Sequence, residues 1–163
     1  TCWVEFFRAV QPDAVFVPIG LGSGLSACAM ARSRVGAATT RIVGVVSAHA
    51  TAYLDSYRAG HAVDAPVTTR LADGMACRVP EAAALDIIRR EADDVLAVTD
   101  DEVAAAMRLL YTATHNVAEG AGAASLAAAM QQRERLRGRR IGVTLCGGNV
   151  DRDVFARVLM EAA

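Results

Sequence analysis

The run AVFVPIG (residues 14–20) is apolar at nearly every position, with no polar residue at alternate places. A strand with one solvated face alternates, whereas a strand without alternation is covered on both faces. RIVGVVS (41–47), DVLAVT (94–99) and RIGVTLC (140–146) read as further strands, with helix-patterned segments between them. Continuous apolar strands alternating with helices predict an open α/β fold, a doubly wound, mostly parallel sheet with helices on both faces. At 163 residues, 53% of them hydrophobic, the chain has material for one core and reads as a single domain over 1–163. No apolar stretch approaches the ~18 residues of a membrane span.

The segments between the strands carry helical signals. Trp3, Phe6, Phe7 and Val10 recur at helical spacing and predict an amphipathic helix over 1–10. A helix follows from Gly24 to Val35, and another over 50–60 is closed by Gly60. Residues 61–79 read as irregular, with Pro66 and a turn-like Asp73-Gly74 pair. Pro80 is expected at a first helical position, continued by EAAALDIIRREA. Thr99 and Glu102 form a capping-box pattern that launches a helix with Val103, Met107, Leu110 and Tyr111 on one face. A small-residue helix begins near Glu119, and a final helix follows GGNVD.

Seventeen basic residues against eighteen acidic ones leave a formal net charge of −1, which with the lack of a motif argues against a nucleic-acid partner. The one basic cluster, RERLRGRR (133–140), reads as a solvated helix end and loop. All seventeen basic residues are arginine. No side chain here can therefore form an imine with an aldehyde, because a guanidinium stays protonated in proteins. The four cysteines show no CxxC spacing and no secretory signal precedes them, so buried free thiols in a cytoplasmic protein are expected. His49, His61 and His115 are too scattered for a metal motif. The chain starts without Met inside an apolar-periodic segment, which predicts a piece of something longer.

In open α/β sheets ligands collect beyond the carboxyl ends of the strands. Two glycine-rich turns fall there, GLGSG (20–24) and CGGN (146–149). Glycines bring backbone N–H groups close to a ligand, and a helix opening at once adds the positive end of its dipole. A Walker loop needs a lysine and fails. A dinucleotide fingerprint lacks its third glycine, where Leu25 stands, and VGVVSA offers no acidic residue near the end of the second strand. A cup for one phosphate monoester and a plain strand-to-helix turn both remain open on GLGSG alone. The second turn favours the cup: it places Cys146 where a strand meets the pocket, able to face the ring of a cofactor whose phosphate sits at 20–24. The other reading of Cys146 is an inert core cysteine.

The blocks VFVPIGLGSG, LADGMACRVPE, VTDDEVAAAMRLL, HNVAEGAGAASLAA and TLCGGNVD together resemble, in order, the threonine/serine dehydratases among fold type II pyridoxal-phosphate enzymes. The resemblance covers nearly the whole chain. It implies that Gly20, Leu21, Gly22, Ser23 and Gly24 cup the phosphate of pyridoxal 5'-phosphate through backbone N–H groups. It implies that Cys146 stands where most members have Ser, facing the pyridine nitrogen. Gly74, beside Asp73, and Glu119 match motif positions near the family's cofactor pocket. Each also has a plainer reading, a turn pair and a helix N-terminal carboxylate. The family's Schiff-base lysine and small domain lie in an N-terminal segment that these residues do not match. Alignment of VGVVSAHATAY puts Val46 and Ala52 at the divalent-cation positions of racemase-like members, so no metal is expected there.

The resemblance implies a parent enzyme that is an ammonia-lyase acting on a β-hydroxy amino acid such as threonine or serine, giving a 2-oxo acid and ammonia. The 163 residues alone are expected to be inactive, with no catalytic residue of their own. The alternatives are an amino-acid racemase or hydroxyaspartate-type lyase and, in another class, a non-catalytic phosphate or small-anion module. The expected partners are a small amino-acid substrate and further copies of the chain, with no nucleic acid and no membrane. An unpaired sheet edge or exposed apolar face is the reason to expect a homo-oligomer.

Overall fold

The valine- and isoleucine-rich runs become four parallel strands in a computed structural model that describes residues 2–160. They are β1 (Ala14–Pro18), β2 (Arg41–Ser47), β3 (Asp94–Val98) and β4 (Ile141–Val143). Their order in the sheet is β3-β2-β1-β4. β1 pairs with β2 in the register Ala14↔Arg41 to Pro18↔Val45, and with β4 from Ala14↔Ile141 to Phe16↔Val143. Thr1 and residues 161–163, which the expected domain includes, lie outside the described residues.

The helices are α1 (Cys2–Ala9), α2 (Ser23–Arg34), α3 (Ala52–Ala59), α4 (Ala82–Glu91), α5 (Asp100–Thr114), α6 (Gly120–Gln131) and α7 (Arg152–Met160), and Asp73–Met75 forms one 3₁₀ turn. Successive strand residues point to opposite faces, so each buried strand supplies two cores at once. Val15 and Val17 join Phe7, Leu25, Tyr53 and Ile88 of α1 to α4 on one face. Ala14 and Phe16 join Val103, Met107, Ala124 and Val158 of α5 to α7 on the other. The expected doubly wound sheet with helices on both faces is therefore the observed one, and all four strands are parallel.

From β1 the chain steps to β2 and then β3, and afterwards crosses back to place β4 on the far side of β1. The winding direction reverses between β1 and β4, whose ends carry the two glycine-rich turns. A crevice opens at such a reversal because the two connections leave in opposite directions.

Local signals behave as physics requires, with instructive exceptions. The Thr99–Glu102 capping box is formed, with Thr99 N–H donating to the Glu102 carboxylate at 2.8 Å and Glu102 N–H to Thr99 Oγ1 at 3.2 Å. Gly60 closes α3 at φ 81°. Pro80 is not the first helical residue: Glu81, with extended backbone, is the N-cap, and its carboxylate accepts from Ala84 N–H at 2.7 Å. Tyr111 leaves the buried face of α5 and stands 41% exposed, edge-on to Phe155 at 5.6 Å. The arginines of 133–140 are exposed in the turn after α6.

The strand expected over 140–146 is three residues long and is not covered on both faces. Among the described residues β4 has β1 as its one partner, and Ile141 and Val143 are exposed while Gly142 is buried. The expectation of four buried thiols also fails: Cys28 and Cys77 are buried, Cys2 and Cys146 exposed, and all four are free. Among the described residues no helix is long and apolar enough to cross a membrane.

Candidate functional site

A cleft of about 350 Å³ opens at the winding reversal, lined by Pro18, the whole turn Gly20 to Gly24, Gly74, Met75, Glu119, Ala121 and Cys146. All eight residues singled out from the sequence, Gly20, Leu21, Gly22, Ser23, Gly24, Gly74, Glu119 and Cys146, share this one cleft. None of the lining residues is basic, so an anion held here relies on backbone amides and the α2 dipole rather than on a cationic side chain.

Gly22 is the N-cap of α2 at φ 90°, in the left-handed region that side chains rarely adopt, and no side chain caps the helix. The first-turn N–H groups, which have no acceptor inside a helix, thus receive no side-chain cap. Space also excludes a side chain at Gly22: a Cβ there would lie 2.6 Å from Ala84 Cβ and 3.2 Å from the Tyr53 hydroxyl. That hydroxyl donates to the Leu21 carbonyl at 2.8 Å and accepts from Glu81 N–H at 3.1 Å. Sequence reading did not single out Tyr53. The available signal is that a tyrosine inside a core helix needs a polar partner for its hydroxyl.

The second turn is built around Glu119. This residue is the N-cap of α6, yet its side chain makes no cap bond. Its carboxylate instead crosses to the second turn, accepting from Asn149 N–H at 3.2 Å, while its own N–H donates to the Gly147 carbonyl at 3.1 Å. The carboxylate occupies the place where a Gly147 side chain would stand, which explains glycine there. Gly74 arrives from the irregular 61–79 segment, and Asp73 accepts from Gly74 N–H at 2.9 Å to hold that turn.

The Cys146 sulfur lies 3.9 Å from the Ala121 carbonyl oxygen. Partial burial of the sulfur raises its pKa above the ordinary thiol value; a backbone hydrogen bond partly offsets this, and the nearby Glu119 carboxylate adds to the rise. The group is therefore a neutral thiol at physiological pH and a poor nucleophile. Pro18, Gly24 and Cys146 also line a second, mainly apolar groove of about 540 Å³ between α1 and β4, reached by Trp3, Phe6, Val143 and Leu145. Among the described residues no group of three or more His, Cys, Asp or Glu side chains is placed to hold a metal ion.

Residues 1–147 match the family described as "Pyridoxal-phosphate dependent enzyme". Phenylserine dehydratase of Ralstonia pickettii is 36% identical over 158 residues, which cover 96% of this chain and 48% of that protein. Serine racemase of Schizosaccharomyces pombe is 33% identical over 158 residues, covering 96% of this chain and 49% of that one. Among solved structures, the processed form of threonine deaminase isoform 2 from Solanum lycopersicum aligns with a TM-score of 0.89 at 26% identity, over 96% of this chain and 46% of that chain. The chain spans about half the length of the curated relatives it matches.

Proposed function

The chain belongs to the pyridoxal-phosphate dependent enzyme family, and from that premise we propose that it forms the cofactor-cupping part of an ammonia-lyase for a β-hydroxy amino acid of the threonine or serine type. The observation that carries this reading is the convergence of four of the five separated sequence blocks on one cleft without a basic side chain. The residues present fit pyridoxal 5'-phosphate on three counts. The uncapped N-terminus of α2 suits a phosphate monoester. The cleft volume accommodates a small aromatic ring. Cys146 offers that ring a neutral partner.

Bound there, the cofactor supplies an electron-withdrawing ring that eases loss of an amino acid's α-proton and β-hydroxyl, ending in a 2-oxo acid and ammonia. The amides of Gly20 to Gly24 would hold its phosphate, with Ser23 adding a hydroxyl donor. Cys146, which lines the cleft, would stand beside the ring as a neutral thiol, a partner that would leave the ring a milder electron sink suited to elimination. Partial burial, with a smaller contribution from the Glu119 carboxylate, favours the protonated thiol, and Glu119 also braces the second turn. The amine that receives the cofactor's aldehyde comes from outside these 163 residues, which contain no lysine. Val46 and Ala52 are buried apolar side chains without donor atoms, which supports a reading with no divalent cation at those positions.

Borohydride reduction of the chain with pyridoxal 5'-phosphate, followed by peptide mass spectrometry, tests the division of labour. No stoichiometric side-chain adduct is expected; a specific one, other than at the chain's own α-amine, overturns it. Likeness to a serine racemase supports racemisation as a second reading. Assays of the intact gene product for oxo-acid release against D-isomer formation separate the two. We also read the chain as cytoplasmic, in keeping with four free thiols, and as self-associating through the open edge of β4. A stable monomer in light scattering defeats the association.

A further inference from the structure

Tyr53 is 1% exposed and is not a cleft residue, yet among the described residues its hydroxyl is the one side-chain group hydrogen-bonded to the backbone of the first glycine turn. It donates to the Leu21 carbonyl at 2.8 Å and accepts from Glu81 N–H, the N-cap of α4, at 3.1 Å. The peptide unit is planar and trans, so a carbonyl drawn toward the core sends the N–H of the same unit the opposite way. Here that N–H belongs to Gly22, a lining residue of the cleft. Gly22 has no side chain of its own to resist rotation of this peptide. Its left-handed φ of 90° lies where an added Cβ would run into Ala84 and Ile88, and the peptide before it is tied by the bond from Tyr53.

We propose that Tyr53 is a positioning residue that sets the orientation of the Leu21–Gly22 peptide, and so the affinity of the first turn for a phosphate monoester. The proposal rests on the phosphate-cup reading above and adds the group that preorganises it. One phenol ties the glycine turn, α3 and the start of α4 into a rigid unit. The amides then meet an anion without first being ordered, a cost otherwise taken from the binding energy. Tyr57, one turn further along α3, makes a bond of the same kind to the Ala92 carbonyl at 3.1 Å, away from the cleft. It is therefore the matched control.

The test compares the 163-residue chain with Tyr53→Phe and Tyr57→Phe, reading amide hydrogen exchange residue by residue and the affinity for inorganic phosphate by amide chemical shifts. Tyr53→Phe is expected to speed exchange at Gly22, Ser23 and Gly24 and to weaken phosphate binding, each by about five- to tenfold, the worth of one hydrogen bond. Exchange at Gly147 and Gly148 stays as it was, and Tyr57→Phe leaves the first turn and the phosphate affinity unchanged. Equal exchange at Gly22 to Gly24 in the two variants overturns the proposal. If the unsubstituted chain shows no saturable phosphate binding, the cup reading falls with the affinity clause, while exchange still decides whether Tyr53 orders the turn. Should Tyr53→Phe not fold, 3-fluorotyrosine at position 53, a stronger donor of nearly the same shape, must slow exchange at Gly22 to Gly24; no change there overturns the proposal.

Discussion

The two glycine turns that wall the cleft differ in what stands behind them. The first follows β1, a strand paired on both sides, and rests on the fully buried Tyr53 and Ile88. The second follows β4, a three-residue edge strand, with Leu145 41% exposed just before it. The first is fixed by a core that folding must form anyway. The second is braced by one carboxylate and two backbone contacts. A cleft made this way has one wall fixed by the core and one wall held by few contacts.

The same truncation at both turns is the strongest way to break this contrast. Ile88→Ala removes a fully buried side chain beneath Gly22 and is expected to cost about 2–5 kcal/mol in chemical denaturation. Leu145→Ala, at the second turn, is expected to stay within about 0.5 kcal/mol. If the two losses are equal, the turns are not differently supported.

Adding a methyl group sharpens the comparison. Gly22→Ala meets a left-handed backbone costing about 1–2 kcal/mol and an Ala84 contact whose relief costs about 1–3 kcal/mol more. Gly147→Ala meets the end of a flexible carboxylate, which swings aside. Its expected cost is about 1 kcal/mol, chiefly the Asn149 N–H left without its partner. Thermal unfolding of the pair measures the difference.

The smallest effect is chemical. Native alkylation with iodoacetamide is expected to label Cys2 and Cys146 while sparing Cys77 and Cys28, whose thiol burial pushes up to about 12. Cys146 reacts through its thiolate, so its rate keeps climbing beyond the pH at which an ordinary thiol levels off. Gly147→Ala and Glu119→Gln both withdraw negative charge and move that profile to lower pH. The sign for stability follows: a thiol raised by folding stabilises below its unfolded value, and that contribution is lost as pH rises through the folded one.

Much of this was legible in the residues because it is local. AVFVPIG and RIVGVVS announce covered strands, and TDDE announces a cap, since each property is decided within a few positions. The membership of the cleft was legible from the ordered blocks, and Gly74 and Glu119 indeed stand beside the glycine turns. What stayed hidden depends on distant partners. RIGVTLC looks like any buried strand until β1 is found to be its sole neighbour. Pro80 resembles a helix start until the Glu81 carboxylate turns back to Ala84. Tyr53 sits in an ordinary amphipathic helix, and its role exists only because Leu21, 32 positions earlier, ends beneath it. Glu119 gave no sign that it would leave its own helix uncapped to brace the opposite turn.

Pro18, Gly24 and Cys146 form a common wall between the cleft and the apolar groove, and across that groove stands Trp3, the only tryptophan in the chain. Its indole packs against Phe6 at 5.7 Å and Phe7 at 6.0 Å. Every photon of tryptophan emission therefore reports from one address, a wall's thickness away from the cleft, and the molecule carries its own optical gauge for whatever settles on either side.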